Sequence, residues 1–349
     1  RGQGLRNWLH RLNGEHHHAD RTARALTRFA EEIGRRTAGS RPDFIFSPES
    51  IPVTRLRAPA PIVVSQYQTF MERIAHLPYE QQPPSMEYVR QALDQEREAF
   101  ANSAVCAFPS ARSLACVAQM QDDSGDLEMT PWGANLRVEP DGMEVRGRIR
   151  QRVRSPLRLL FASEIWAAGG GGIALETCRE LHRRGIEFHL DILGATPPIA
   201  PPAWATVIRR EGEAGLPDLL EDPGRYRFLL APLRIDARPH LLCEAAAHGI
   251  PAITTDIGGL SSVVADGVSG LCLPPGAGPA EWADALVRLA VDRDAYVRMA
   301  DDARARYDTT LNWHAFARRV IDLGRAARVG DDRPSQPWPI RQRAFGVNA

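Results

Sequence analysis

Two short apolar runs, Phe228 to Ala231 and Pro251 to Thr255, bracket a stretch whose apolar spacing from His240 to His248 suits a helix. The whole string, RFLLAPLRIDARPHLLCEAAAHGIPAITTDIGGLSSVVADGVSGLCL, reads as strand, loop, helix and strand, with Gly258 and Gly259 opening a second short helix. In open parallel sheets, ligands bind in the crevice outside the carboxyl ends of strands. The loop from Leu233 to Pro239 leaves such an end. Asp236 is therefore expected over the crevice, with Glu244, on the first turns of the helix, pointing back toward it.

An ionised carboxylate only accepts hydrogen bonds, so one on the loop and one on the helix suit a grip on vicinal hydroxyls, as in a sugar or a ribose. The free amides and positive dipole end of the same helix favour a phosphate. An Asp and a Glu eight apart are common in themselves; the string around them carries more.

DARPHLLCEAAAHGIPAITTDIGGLSSVVADGVSGLCLPP resembles the donor segment of retaining glycosyltransferases of the GT-B fold, the glycosyltransferase family 4-like or group 1 glycosyl transferases. Their pattern is an acidic residue, seven positions, a Glu and then E-A-x-A-x-G-x-P-V-I-x-T-D-x-G-G-x-x-x-x-V-x-x-G-x-x-G. Glu244, Ala245, Ala247, Gly249, Pro251, Ile253, Thr255, Asp256, Gly258, Gly259, Val264, Gly267 and Gly270 fall on it. The resemblance implies that Glu244 binds the ribose of a nucleotide sugar, that Asp236 is the catalytic-site residue near the sugar hydroxyls, and that Thr255, Gly258 and Gly259 belong to the donor site.

At 349 residues the chain is long enough for two domains with separate cores. Lys plus Arg and Asp plus Glu both number 43, so no overall field argues for nucleic acid or an anionic membrane as partner. The chain has no Lys, which leaves Arg as its permanent cation. The five Cys lie in apolar runs without C-x-x-C spacing, as expected of small core residues in a reducing compartment. No run of ~18 apolar residues offers a transmembrane segment, and the start is too charged for a signal peptide. The expected location is cytoplasmic.

Residues 1 to 18, with Trp8 and Leu9 followed by Gly14 and Glu15, do not resemble a domain start, and His16, His17 and His18 splay too widely to share one metal. Asp20 is expected to cap a helix to about Arg36. Strands are expected at Pro42 to Ser47, Pro61 to Ser65 and Ala104 to Phe108, with a helix from Glu87 to Asn102. This alternation reads as a parallel α/β domain. The strand and Gly-rich turn that should open such a domain are missing, which points to an N-terminal truncation. DFIFS at Asp43, APIVVSQYQTF at Ala60, EREAF at Glu96, PSARS at Pro109 and TPWGANL at Thr130 resemble the same family's first half more weakly. Gly133, Ala134 and Asn135 match its G-A-N, which puts Gly133 and Asn135 in the implied donor site; Tyr67 and Arg112 depart from its Asp and Trp.

Arg137 to Pro156 is expected to be a solvated linker. Beyond it, Leu157 to Ser163 reads as a strand, EIWAAGGGG as a turn and Ile173 to Arg184 as a helix. Glycines between a strand and a helix let backbone amides approach a phosphate. The run lacks the ending of a P-loop and does not spell the dinucleotide fingerprint. It resembles the family's W-x-R-K-G-G turn, whose Arg and Lys neutralise the donor diphosphate. Trp166, Gly170 and Gly171 match, while Ala168 and Gly169 stand at the cationic positions. Arg238, Arg234 or a linker Arg are the candidates to replace that charge.

The fold class expected is α/β, GT-B, two Rossmann-like domains facing a cleft: residues 1–145 on the acceptor side, 155–329 for the nucleotide-sugar donor, and a Pro/Arg-rich tail at 330–349. The implied function is transfer of a sugar from a UDP-, GDP- or ADP-linked donor to a hydroxyl of an unknown glycan or small-molecule acceptor, with retention and without metal or other cofactor. The competing class is a catalytically impaired glycosyltransferase-like protein with a binding or assembly role. A NAD-dependent enzyme is disfavoured, since no acidic residue follows the glycines at the usual spacing.

Overall fold

The computed structural model describes residues 20–75, 84–120, 125–208, 225–235 and 239–329. The three histidines and the tail at 330–349 lie outside them. The chain divides into two compact units, Arg1–Thr130 with Ala317–Ala349, and Pro131–Phe316.

In the first unit, β1 (Ile45–Ser47), β2 (Ile62–Ser65), β3 (Val105–Phe108) and β4 (Asp126–Met129) pair in parallel in the order of the sequence. β2 and β3 are buried at every position, the condition of a strand covered on both faces. The helices are α1 (Ala23–Thr37), α2 (Phe70–Ala75), α3 (Met86–Ala101) and α4 (Ala111–Met120). Phe100 of α3 and Val117 of α4 join Val64, Cys106 and Phe108 in the core. The cap of α1 is Thr22, whose Oγ1 accepts from the Ala25 amide at 3.4 Å, and not Asp20. The extended backbone of Thr22 suits it to the cap position.

The second unit begins with α5 (Gly142–Arg154), where a solvated linker was expected. Asp141 caps it by accepting from the amides of Met143 and Glu144. Val145 and Ile149, four apart, pack into the same core as Leu159 and Phe161, which explains why residues 131–145 belong with this unit. The arginines mask that apolar stripe in the sequence.

Then follow β5 (Leu157–Ser163), α6 (Gly171–Arg183), β6 (Phe188–Gly194), β7 (Ala205–Ile208), β8 (Phe228–Ala231), α7 (Pro239–Ala247), β9 (Ala252–Thr255), the single turn α8 (Leu260–Val263), β10 (Gly270–Leu273), α9 (Pro279–Val291) and α10 (Arg293–Thr309); α11 (Trp313–Val329) starts in this unit and from Ala317 counts with the first. All six strands are parallel, in the order β10-β9-β8-β5-β6-β7. From β5 the chain winds outward through β6 and β7, then returns to β8 on the other side. The strand order therefore reverses between β5 and β8, the point at which open α/β sheets form their crevice.

Candidate functional site

Above the reversal, the turn after β5 and the loop after β8 come together. Ser163 closes the turn, donating from its Oγ to the Ile165 carbonyl at 2.9 Å. The amides of Gly169, Gly170 and Gly171 are tied to the carbonyls of Ile165, Ala167 and Trp166. Gly170 has φ 73°, and a Cβ there would lie 1.8 Å from the Pro232 carbonyl oxygen. A Cβ on Gly171 would meet the Trp166 ring at 2.3 Å. Both glycines are thus fixed by sterics: Gly170 lets the turn approach the β8 loop, and Gly171 leaves room for the Trp166 ring within the turn. The Arg234 amide completes the junction by donating to the Ala168 carbonyl at 2.9 Å. The cavity that results is walled by Ala162, Ser163, Glu164, Ala168 and Gly169 on one side and by Leu233, Ile235, Leu241 and Leu242 on the other.

α7 borders this cavity. Its residues are almost all buried, as its apolar composition demands, and Glu244 is 3% exposed on its second turn. The carboxyl end of the helix is held by two buried arginines. Arg152 of α5 donates to the carbonyls of His248 at 2.8 Å and Gly249 at 2.7 Å, and Arg304 of α10 to that of Ala247 at 2.7 Å. They satisfy the carbonyls left over at a helix end and place cations at its negative pole. The same arginines act on His248: burial first, then Arg152, Arg148 and Arg304, push its imidazole down to about 3, so it is neutral.

At the other end of α7, the His240 ring stacks on Trp132 at 5.8 Å and lies 5.9 Å from Trp313. Its Nδ1 is 2.9 Å from the Gly133 carbonyl, which can only accept, so Nδ1 carries the proton. Gly133 has no room for a Cβ, which would meet the Trp313 amide nitrogen at 2.3 Å, and Asn135 Oδ1 accepts from Trp313 Nε1 at 3.0 Å. Thr255, 4% exposed, ends β9; Gly258 follows with φ 55°, and Gly259 precedes α8. Arg306 of α10 donates to the Val263 carbonyl at 2.7 Å and so caps α8.

Of the residues expected at the site, Gly170, Gly171, Thr255, Gly258 and Gly259 lie at or just beyond the carboxyl ends of β5 and β9, and Glu244 on the helix that follows β8. Gly133 and Asn135 stand apart on the loop that meets His240 and Trp313. Asp236 and Arg238 lie outside the described residues. Sequence reasoning passed over His240, Trp132 and Trp313, whose contact spans more than a hundred positions and leaves no local period. Among the described residues no cluster of three or more His, Cys, Asp or Glu side chains could hold a metal ion, and no helix is long and apolar enough to cross a membrane.

These parallel sheets define the class, an α/β protein with the GT-B fold. Sucrose-phosphate synthase from Thermosynechococcus elongatus superimposes with a TM-score of 0.64 at 17% identity, over 88% of this chain and 79% of that one. Anabaena HepE, solved in complex with UDP-glucose, does so with a TM-score of 0.59 at 12% identity, over 88% and 83%. At such identities the likeness speaks for the fold alone. More narrowly, residues 156–292, all within the second unit, match the family model described as Glycosyl transferases group 1. The chain is 43% identical over 97 residues to the D-inositol 3-phosphate glycosyltransferase of Corynebacterium urealyticum, covering 28% of this chain and 22% of that protein. It is 27% identical over 206 residues to the amylovoran biosynthesis glycosyltransferase AmsK of Erwinia amylovora, covering 54% of this chain and 49% of that protein. The match thus spans half or less of the length of these relatives.

Proposed function

We propose that the chain transfers a sugar from a nucleotide sugar to an acceptor hydroxyl with retention of the anomeric configuration. The observation that carries this reading is the reversal of strand order between β5 and β8, with the glycine turn and α7 beside it, inside the segment that matches the family. Glu244 is assigned to the ribose hydroxyls, and the amides at the start of α6 to the diphosphate. Asp236 is assigned to the transferred sugar on the strength of the sequence resemblance. In the transfer, the bond from the anomeric carbon to the diphosphate oxygen breaks, the acceptor oxygen bonds to that carbon on the same face, and the acceptor's proton leaves with the diphosphate. Helix amides and arginine, in place of a metal, meet the charge on the leaving group. Free thiols at all five cysteines accord with a reducing, cytoplasmic setting.

Titration calorimetry with UDP, GDP and ADP tests the assignment. One of the three is expected to bind, and Glu244→Ala to abolish that binding while leaving the circular dichroism spectrum unchanged. Equal affinities before and after the change refute the site.

A further inference from the structure

The arginines that meet α7 and α8 are committed to the fold. Arg152 and Arg304 hold the end of α7, and Arg306 holds α8. Arg158 and Arg225 pair with the fully buried Asp191 at 3.1 Å and 3.0 Å. Turning any of them toward a ligand would take a donor from a carbonyl or carboxylate that the fold has paired.

Arg234 differs. Its amide is tied to the Ala168 carbonyl at 2.9 Å, which pins its Cα against the glycine turn. Its two neighbours, Leu233 and Ile235, form one wall of the cavity that Ala168 and Gly169 close on the other side. The side chain is exposed, and among the described residues its guanidinium makes no ion pair or hydrogen bond. The charged residue of the cavity wall is an acid, Glu164. An anion bound there needs a positive partner, and Arg234, between two residues of the cavity wall, is held by its backbone alone.

We propose that Arg234 is the cation that grips the diphosphate of the donor, standing across the turn from Ala168 and Gly169, which carry no charge. The proposal rests on the donor-site reading above. Guanidinium supplies the planar pair of donors that fits two phosphate oxygens, and the amides of Gly172 and Ile173 in the first turn of α6 complete the cradle. Such a grip acts on a second phosphate more than on a nucleoside, so Arg234 sets the preference for nucleoside diphosphate over monophosphate.

The test is titration calorimetry on the full chain, first with UDP, GDP and ADP and then with the monophosphate of whichever binds. Arg234→Gln is expected to lower diphosphate affinity roughly ten- to a hundredfold, the range of one charge-assisted contact, and to bring the two affinities together. Arg234→Lys should retain part of the preference. Ala168→Arg in the Arg234→Gln background should restore part of it, since the charge returns to the facing side of the same turn. An Arg234→Gln protein that keeps the parental preference overturns the role of Arg234 and leaves the donor site standing. Equal loss of both affinities with a lowered melting temperature assigns Arg234 to the fold and also overturns the proposal. A parent chain that binds none of the nucleotides overturns the donor-site reading and Arg234 with it.

Discussion

At the scale of single residues, the glycine turn shows how sequence-neighbouring glycines differ. Gly170 combines a left-handed backbone with a position where a Cβ would lie 1.8 Å from the Pro232 carbonyl oxygen, whereas a Cβ on Gly172 meets nothing within 4 Å. Gly170→Ala is therefore expected to destabilise the protein by at least ~2 kcal/mol, the sum of backbone strain and displacement of Pro232. Gly172→Ala, inside the first turn of α6, should be neutral or stabilising by ~0.5 kcal/mol through its better helix propensity. Urea unfolding of the two variants checks the pair; equal effects would contradict the close approach of turn and loop. The string GGGG offers no means of ranking the four, because the difference lies in Pro232, which reaches the turn through the sheet.

Among the elements, α7 decides most. Its sequence is readable as a helix from the apolar spacing, and its burial from the composition, but what holds it comes from α5 and α10. Arg152 is 1% exposed and lies 97 positions from the carbonyl of Gly249 that it caps. Arg152→Leu should cost about 2–4 kcal/mol, because two buried carbonyls lose their donor. Arg148→Ala, one turn away on the same helix and paired with Glu144 near the surface, should cost less than ~0.5 kcal/mol. Chemical denaturation of both proteins distinguishes a capping arginine from a solvated one. If the two changes cost the same, α5 is the surface crossing that its arginines suggest.

For the whole molecule, the balance of 43 acidic and 43 basic residues leaves no net field, so the acid limb of stability falls to individual buried groups. His248 is such a group. Its folded value, about 3, lies below its ordinary 6.5, so the folded protein resists taking up the proton that the unfolded chain accepts. The stabilisation is fully present above pH 6.5 and is lost as the pH falls from there toward 3, with a slope approaching ~1.4 kcal/mol per pH unit. Unfolding midpoints measured at pH 7.5, 6 and 5 should fall steeply, and in His248→Gln the fall should flatten. A parallel decline in the two proteins would place the acid sensitivity elsewhere.

The sequence by itself determined what is local. Apolar runs of four to seven residues became buried parallel strands, apolar residues at helical spacing became α3, α7 and α9, and glycines between β5 and α6 became the turn at the head of the sheet. These follow from periodicity and backbone freedom, which act within a few residues of each other. Only the tertiary structure decided what is distant. The arginines of α5 read as a solvated crossing because charge dominates their pattern, yet Val145 and Ile149 pack in the core and Arg152 caps a helix far along the chain. Likewise, the sequence marks Ala168 and Arg234 separately, 66 positions apart, without setting them side by side. Reversal of the strand order sets β8 beside β5, and that pairing brings the Arg234 amide to the Ala168 carbonyl.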